Sequence, residues 1–158
     1  TYSGLPLTYH GRVTATETAG QVEMWYLVNP PTGDLRLAVT LAASADFTFG
    51  AVSFFGVNSS SPLSALSGNA SVGTQVSVSR ASAKGQLVLD VMAGRHNCEP
   101  VSPAFGQTQL WSLKGGGSVW GAGSVKMGDD TVNMYWSLDK SYRWATAAVS
   151  IRPATGAP

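Results

Sequence analysis

Apolar residues in this chain recur at every second position and almost nowhere at the three-and-four spacing of a helix. In QVEMWYLV at 21–28, Val22, Met24, Tyr26 and Val28 share one face. In LRLAVTL at 35–41, Leu35, Leu37, Val39 and Leu41 oppose Arg36, Ala38 and Thr40. The NPPTGD between them stops one strand at Pro30 and Pro31 and turns the chain at Gly33 and Asp34. Period-two patterning of this kind restricts the chain to sheets, because a strand sends alternate side chains to opposite faces.

The same pattern predicts further strands. FTFGAVSFFGV at 47–57 is nearly all apolar and reads as a central strand buried on both faces. TQVSVS at 74–79 turns Val76 and Val78 inward, and QLVLDVM at 86–92 sets Leu87, Leu89 and Val91 on one face. QTQLWSL at 107–113, GSVKM at 123–127, TVNMYWSL at 131–138 (Val132, Met134, Trp136 and Leu138 inward) and RWATAAVSI at 143–151 complete the series. The connectors 56–73, 93–106 and 114–122 carry the Gly, Ser, Asn and Pro of turns. About nine strands at this spacing predict an all-β fold, an antiparallel β-sandwich of jelly-roll type. One domain spans 1–158, with a weakly structured segment at 1–20 that holds one weak strand near 2–9, and a tail at 152–158.

Charge excludes some functions. Charged residues make up 12% and the net charge is +1, with Lys and Arg scattered. No basic face exists to neutralise phosphates, so no nucleic-acid partner is expected. No apolar run approaches the roughly 18 residues of a spanning helix, so no membrane insertion is expected. Thr1 opens the chain without an apolar leader, and a leader is expected to have been removed or left out. The single Cys forbids an internal disulfide. A polar, uncharged, Ser/Thr/Gly-rich composition is associated with secreted and virion β-proteins, so an extracellular or virion-surface location is expected.

Reactive side chains concentrate in one place. RHNCE at 95–99 sets Arg95, His96, Cys98 and Glu99 within five positions. A zinc site needs three or four ligands, and the other histidine, His10, lies far away in sequence with no CxxC or HxxxH spacing. A nucleophilic Cys needs an oriented base and a lowered pKa. The segment therefore reads as a polar loop, and Cys98→Ser and His96→Ala are expected to leave folding and binding intact. Asp129 and Asp130 read as a turn, and a calcium ion there would need several more oxygen ligands. No GxSxG, HExxH or phosphate loop is present, and no pair of carboxylates stands out. No enzyme activity, metal or cofactor is expected. The sequons at Asn58 and Asn69 bear on a eukaryotic secretory host alone.

The aromatics are the remaining candidates. Trp136 and Tyr26 fall on apolar faces and read as core, while Trp25 alternates outward with Glu23. An inward Leu110 sends Gln109 and Trp111 outward, and Trp120 falls within the glycine-rich loop GGGSVWGAG. Exposed Trp beside polar amides suits either a protein partner or the apolar face of a sugar ring. Trp111, Trp120, Gln109 and Trp25 are thus the candidate binding residues.

WYLVNPPTG at 25–33, GAVSFFGVNSSSPL at 50–63, GQTQLW at 106–111, MYWSL at 134–138 and WATAAVSIRP at 144–153 follow one another in an order that resembles a known family. It is the family of Gly/Ser/Thr-rich β-sandwich domains of secreted bacterial proteins and phage virion proteins, including tail-fibre and capsid-surface components. The resemblance runs from TYSGLPLT at 1–8 to Pro153, and most of the matched residues are structural. It implies a non-catalytic structural or adhesive module assembling with copies of itself or with other virion or surface proteins, and it brings no catalytic residues to carry over. A carbohydrate-binding module acting on glycans is the alternative. The family pattern also implies one or two apolar strands ahead of TYSGLPLT, and a strand supplied by another chain is one way to complete such a sheet.

Overall fold

The computed structural model describes residues 1–15, 20–95 and 102–154. Among them there is no helix, and every strand pairs antiparallel. A hairpin of β1 (Thr8–Thr14) and β2 (Gln21–Tyr26) forms a two-stranded sheet. A six-stranded sheet holds β3 (Ser67–Ala81), β4 (Leu87–Arg95), β6 (Thr108–Lys114), β7 (Val119–Met127) and β8 (Thr131–Ile151) in the order β3-β8-β4-β7-β6, with the short β5 (Ser102–Pro103) also on β8.

Length dictates the shape of the longest element. A straight strand of 21 residues would reach about 70 Å, well beyond the width of a domain this size. The β3–β8 ribbon instead breaks its register: Gly73 faces Tyr142 and Gln75 faces Ser137. The residues skipped on β8 include exposed Asp139, Lys140 and Ser141. They separate the two segments that periodicity marks as distinct strands, 131–138 and 143–151.

The ribbon's two legs share one core. Val76, Trp136 and Leu138 of the far leg pack with Met92 of β4, Trp120 and Ala122 of β7 and Trp144 of the near leg. Val78, Val132 and Met134 continue the contact onto Val88 and Ala148. Polar ties hold the legs together: Asn69 Nδ2 donates to Ser77 O at 2.8 Å and Ser150 Oγ to Ala81 O at 3.0 Å. The opposite face of the sheet, with Ala145, Ala147 and Val149, receives Ala15, Val22 and Met24 of the hairpin. The hairpin comes so close that a Cβ on Gly68 would collide with Val13.

Several expectations are corrected. Residues 35–41 and 47–57 form no strand, and the second run is largely exposed rather than buried on both faces. The 2–9 segment makes isolated bridges before β1 begins at Thr8. The connectors 56–73 and 114–122 end inside strands, at Ser67 and Val119. On β4 Leu87, Leu89 and Val91 do share one face, and the opposite face, Val88, Asp90 and Met92, is the more deeply buried. Both faces of this central strand are covered, so alternation ranks them poorly. RHNCE beyond Arg95 and the chain end from 155 lie outside the described residues.

Met92 is fully buried at the junction of the two legs, and Val72 is 55% exposed. Met92→Ala is expected to cost about 2–5 kcal/mol, and Val72→Ala to stay within about 0.5 kcal/mol. Urea midpoints of the two variants, read at equal slope, check this.

Candidate interaction surfaces

The chemistry on view has three parts: a buried carboxylate, an exposed aromatic hairpin face and an apolar strap. The carboxylate belongs to Asp90, 1% exposed at the centre of β4. Its neighbours two positions away, Val88 and Met92, face the core, so the strand period takes Asp90 inward with them. Register then sets Asp90 opposite Ser124 of β7. Oδ1 accepts from Ser124 N at 2.9 Å and from Ser124 Oγ at 2.6 Å, and Oδ2 accepts from Trp136 Nε1 at 2.7 Å. Gln107 extends the chain, its Nε2 donating to Ser124 Oγ at 2.9 Å while its Oε1 accepts from Tyr135 N at 2.7 Å.

Burial pushes the Asp90 carboxyl up to about 6, against the downward pull of its bonds from Ser124 and Trp136. A shifted carboxyl marks a candidate for chemistry only where substrate can reach it. Asp90 lies enclosed between sheet and ribbon, and its partners all belong to strands or to the turn before β6. This site is a polar joint of the core. Sequence reasoning missed it, and the available signal was an acid in phase with Val88 and Met92.

The aromatic candidates separate. Trp120 lies within β7 and not on a loop, 4% exposed. Gly94 faces Trp120 on one side and Trp144 on the other, so both indoles flank a position without a side chain. Trp111 is half-buried. Its indole lies over Gly121 and Gly123, whose added Cβ atoms would come within 3.2 Å of Cη2 and 2.6 Å of Nε1, and Gly50 closes over it with no room for a Cβ. The ladder slips between Gln109 and Trp111, which face Ser124 and Gly123. Leu110 is the extra residue of this bulge and is exposed, not inward. Gln109 is exposed and Trp111 covered.

Trp25 alone of the four presents its ring to solvent, 51% exposed, with Tyr9 at 47% beside it. Their centroids lie 4.8 Å apart at 58°. Trp25 Nε1 donates to Glu23 Oε2 at 3.0 Å, and Gln21 Nε2 to Glu23 Oε1 at 2.9 Å. Register adds Arg12 opposite Glu23 and Thr14 opposite Gln21. The outer face of the hairpin is therefore an aromatic pair continued by a polar row.

Residues 39–55 form the strap. Its ends are fixed: Thr1 and Ala38 exchange both backbone hydrogen bonds, at 2.8 and 2.9 Å, and Ala154 N donates to Gly56 O at 2.7 Å. Between these ends no hydrogen bond joins residues 39–55 to any other described residue. The strap crosses β6 and β7 with a strand-like alternation. Asp46, Thr48 and Gly50 turn onto Gly117, Gly121 and Trp111. Phe47 and Phe49 stack outward at 6.1 Å and 12°. Val39, Leu41, Phe47, Phe49 and Val52 are 40–47% exposed, and Phe55 is wholly exposed.

Among the described residues, no three His, Cys, Asp or Glu side chains converge as a metal ion requires. Asp129 Oδ1 accepts from Asp130 N at 3.0 Å, as in a turn. An open crevice of about 350 Å³ between the ribbon legs is lined by Ser67, Asn69, Ser77 and Ser79, with no acid or base.

The folded chain holds a proton on Asp90 more tightly than the unfolded chain, because its pKa rises from 3.8 to about 6. The stability that this group contributes is fully present below pH ~4 and is lost as pH rises through ~6, by about 3 kcal/mol. Asp90→Asn removes the titration. The stability of the wild type relative to Asp90→Asn is expected to fall by that amount between about pH 3 and 7, and parallel urea curves would contradict it. Compared with protein-family models, curated proteins and solved structures, the chain matches none of them.

Proposed function

We propose that the chain is a non-catalytic structural module, a β-sandwich built by its folded ribbon, that works by assembling with protein partners at the strap. The single observation that carries this is the condition of residues 39–55. They form no strand, make no hydrogen bonds to other described residues, and expose Val39, Leu41, Phe47, Phe49, Val52 and Phe55. Summed along the segment, those side chains expose an apolar area on the order of 600 Å². Backbone N–H and C=O groups that make no hydrogen bond to described residues are open to a partner strand, and the outward Phe side chains offer it apolar contact. The surface of a virion, a fibre or a cell is the setting that this composition and resemblance suggest.

The strap is expected to be unpaired in the dilute, isolated chain. Amide hydrogen exchange over 39–55 should run near the intrinsic rate there, while amides of β4 and β8 are strongly protected. An apolar dye should bind, and Phe49→Ser with Phe55→Ser should weaken that binding several-fold. Strong protection of 39–55 in the lone chain would overturn the proposal.

A second reading rests on the hairpin face. Tyr9 and Trp25 offer ring surface beside the Glu23 carboxylate, a combination that suits the apolar face and hydroxyl rim of a glycan. Titration with neutral oligosaccharides is then expected to shift tryptophan fluorescence, and Trp25→Ala to abolish the shift. Unchanged fluorescence across the series counts against this reading.

A further inference from the structure

We infer that the partner of the strap is a second copy of this chain, the two straps packing against each other about a twofold axis. The inference rests on the assembly reading above and names the occupant of that surface.

The first argument is area. The exposed apolar side chains of 39–55 supply on the order of 600 Å² per chain, so two copies bury roughly 1,200 Å² from these side chains alone. That reaches the about 1,000–1,200 Å² at which specific interfaces begin, before any backbone pairing is counted.

The second argument is charge. A twofold contact places the same patch on both sides, so any charge in the patch meets its own kind. Residues 39–55 carry one charged side chain, Asp46. It is exposed, but its carboxylate lies against the Gly117 backbone, on the side of the segment opposite Phe47 and Phe49. The outward face of Phe47 and Phe49 is neutral and meets its copy without like-charge repulsion. A charged partner gains nothing here, since the patch offers it no counter-charge.

The third argument is readiness of the backbone. At its leading end the segment already pairs antiparallel, Ala38 with Thr1. Beyond Ala38 the segment belongs to no strand and its amides make no hydrogen bond to another described residue, so a neighbouring strand can be added without refolding the sheet beneath. Antiparallel pairing of two identical strands is itself twofold-symmetric, which fits a pair of straps.

The test uses the whole chain. Light scattering on a sizing column from low to high micromolar concentration is expected to show a monomer–dimer equilibrium. Hydrogen exchange at the two ends of that range should show protection gained within 39–55. Phe55 is wholly exposed, so Phe55→Asp leaves the monomer core untouched. It should raise the dimer dissociation constant at least tenfold while the urea midpoint of the monomer stays in place.

A dimer that is indifferent to Phe55→Asp, with protection gained outside 39–55, overturns the inference. A monomer at every concentration with fast-exchanging 39–55 amides also overturns it, and leaves assembly with a different chain standing. A monomer with those amides already protected overturns both.

Discussion

The structure turns on the Trp136 indole. It lies in the far leg of the β3–β8 ribbon, and its ring packs with Met92, Trp120 and Trp144 on the other side of the core. Its Nε1–H reaches across to Asp90 Oδ2 at 2.7 Å. One side chain thus supplies both the apolar mass and the directed bond that hold the far leg down. Removing the hydrogen bond would leave a buried carboxylate short of a donor, and removing the ring would open the core. The two penalties fall at the same point, which makes this contact hard to replace by apolar packing alone. Asp90 in turn binds Ser124, and Ser124 binds Gln107, so the placement of β7 and of the turn into β6 follows from the same joint.

Burying an acid at this joint has a stability cost that an apolar residue would avoid. The return is direction: a carboxylate accepts at fixed angles, and only one register of β4 on β7 brings Ser124 opposite Asp90. A slip of one residue would turn Asp90 onto the other face and leave Ser124 and Trp136 without an acceptor. Apolar contacts among Val, Met and Ala discriminate poorly between registers. A single polar joint discriminates strongly, because wrong pairings leave buried groups unsatisfied. Trp144 shows the other side of this bargain. Its Nε1 is buried without a partner, held there by ring packing alone beside Gly94.

Local periodicity made much of this legible. The inward sets Val76 with Val78, and Val132, Met134, Trp136 and Leu138, follow from alternation, and the structure buries all of them. The first hairpin partner, 21–26, follows from the same pattern. What alternation does not carry is the identity of the residue across the ladder. The glycines read as turn formers, yet Gly94, Gly121 and Gly123 lie within strands, and Gly121 and Gly123 make room for Trp111. That role depends on cross-strand partners far away in sequence. Exposure of Trp111 and Trp120 was inferred from their own neighbours, and the covering groups come from elsewhere. The bulge at Leu110 escaped for the same reason, since an extra residue is defined only against the partner strand.

The strap at 39–55 is the one place where a strong strand pattern yields no strand. Propensity and alternation both favour pairing there, and the sheet beneath accepts one face of the segment at Gly121 and Trp111. A strand, however, is a property of two hydrogen-bonded backbones, and although Gly115 lies against the Phe47 backbone, no described residue pairs with the segment by hydrogen bonds. Sequence reasoning anticipated burial on both faces of 47–57, and the structure sets only one face, that of Asp46, Thr48 and Gly50, against the sheet, with Thr48 alone of these partly buried. The mismatch has a definite sign: the residues are more apolar than their present surroundings reward. A chain whose local signals otherwise agree with its fold is expected to depart from them where another requirement acts on the sequence. Here the departure is the exposure of Phe47, Phe49 and Phe55, which no described residue covers.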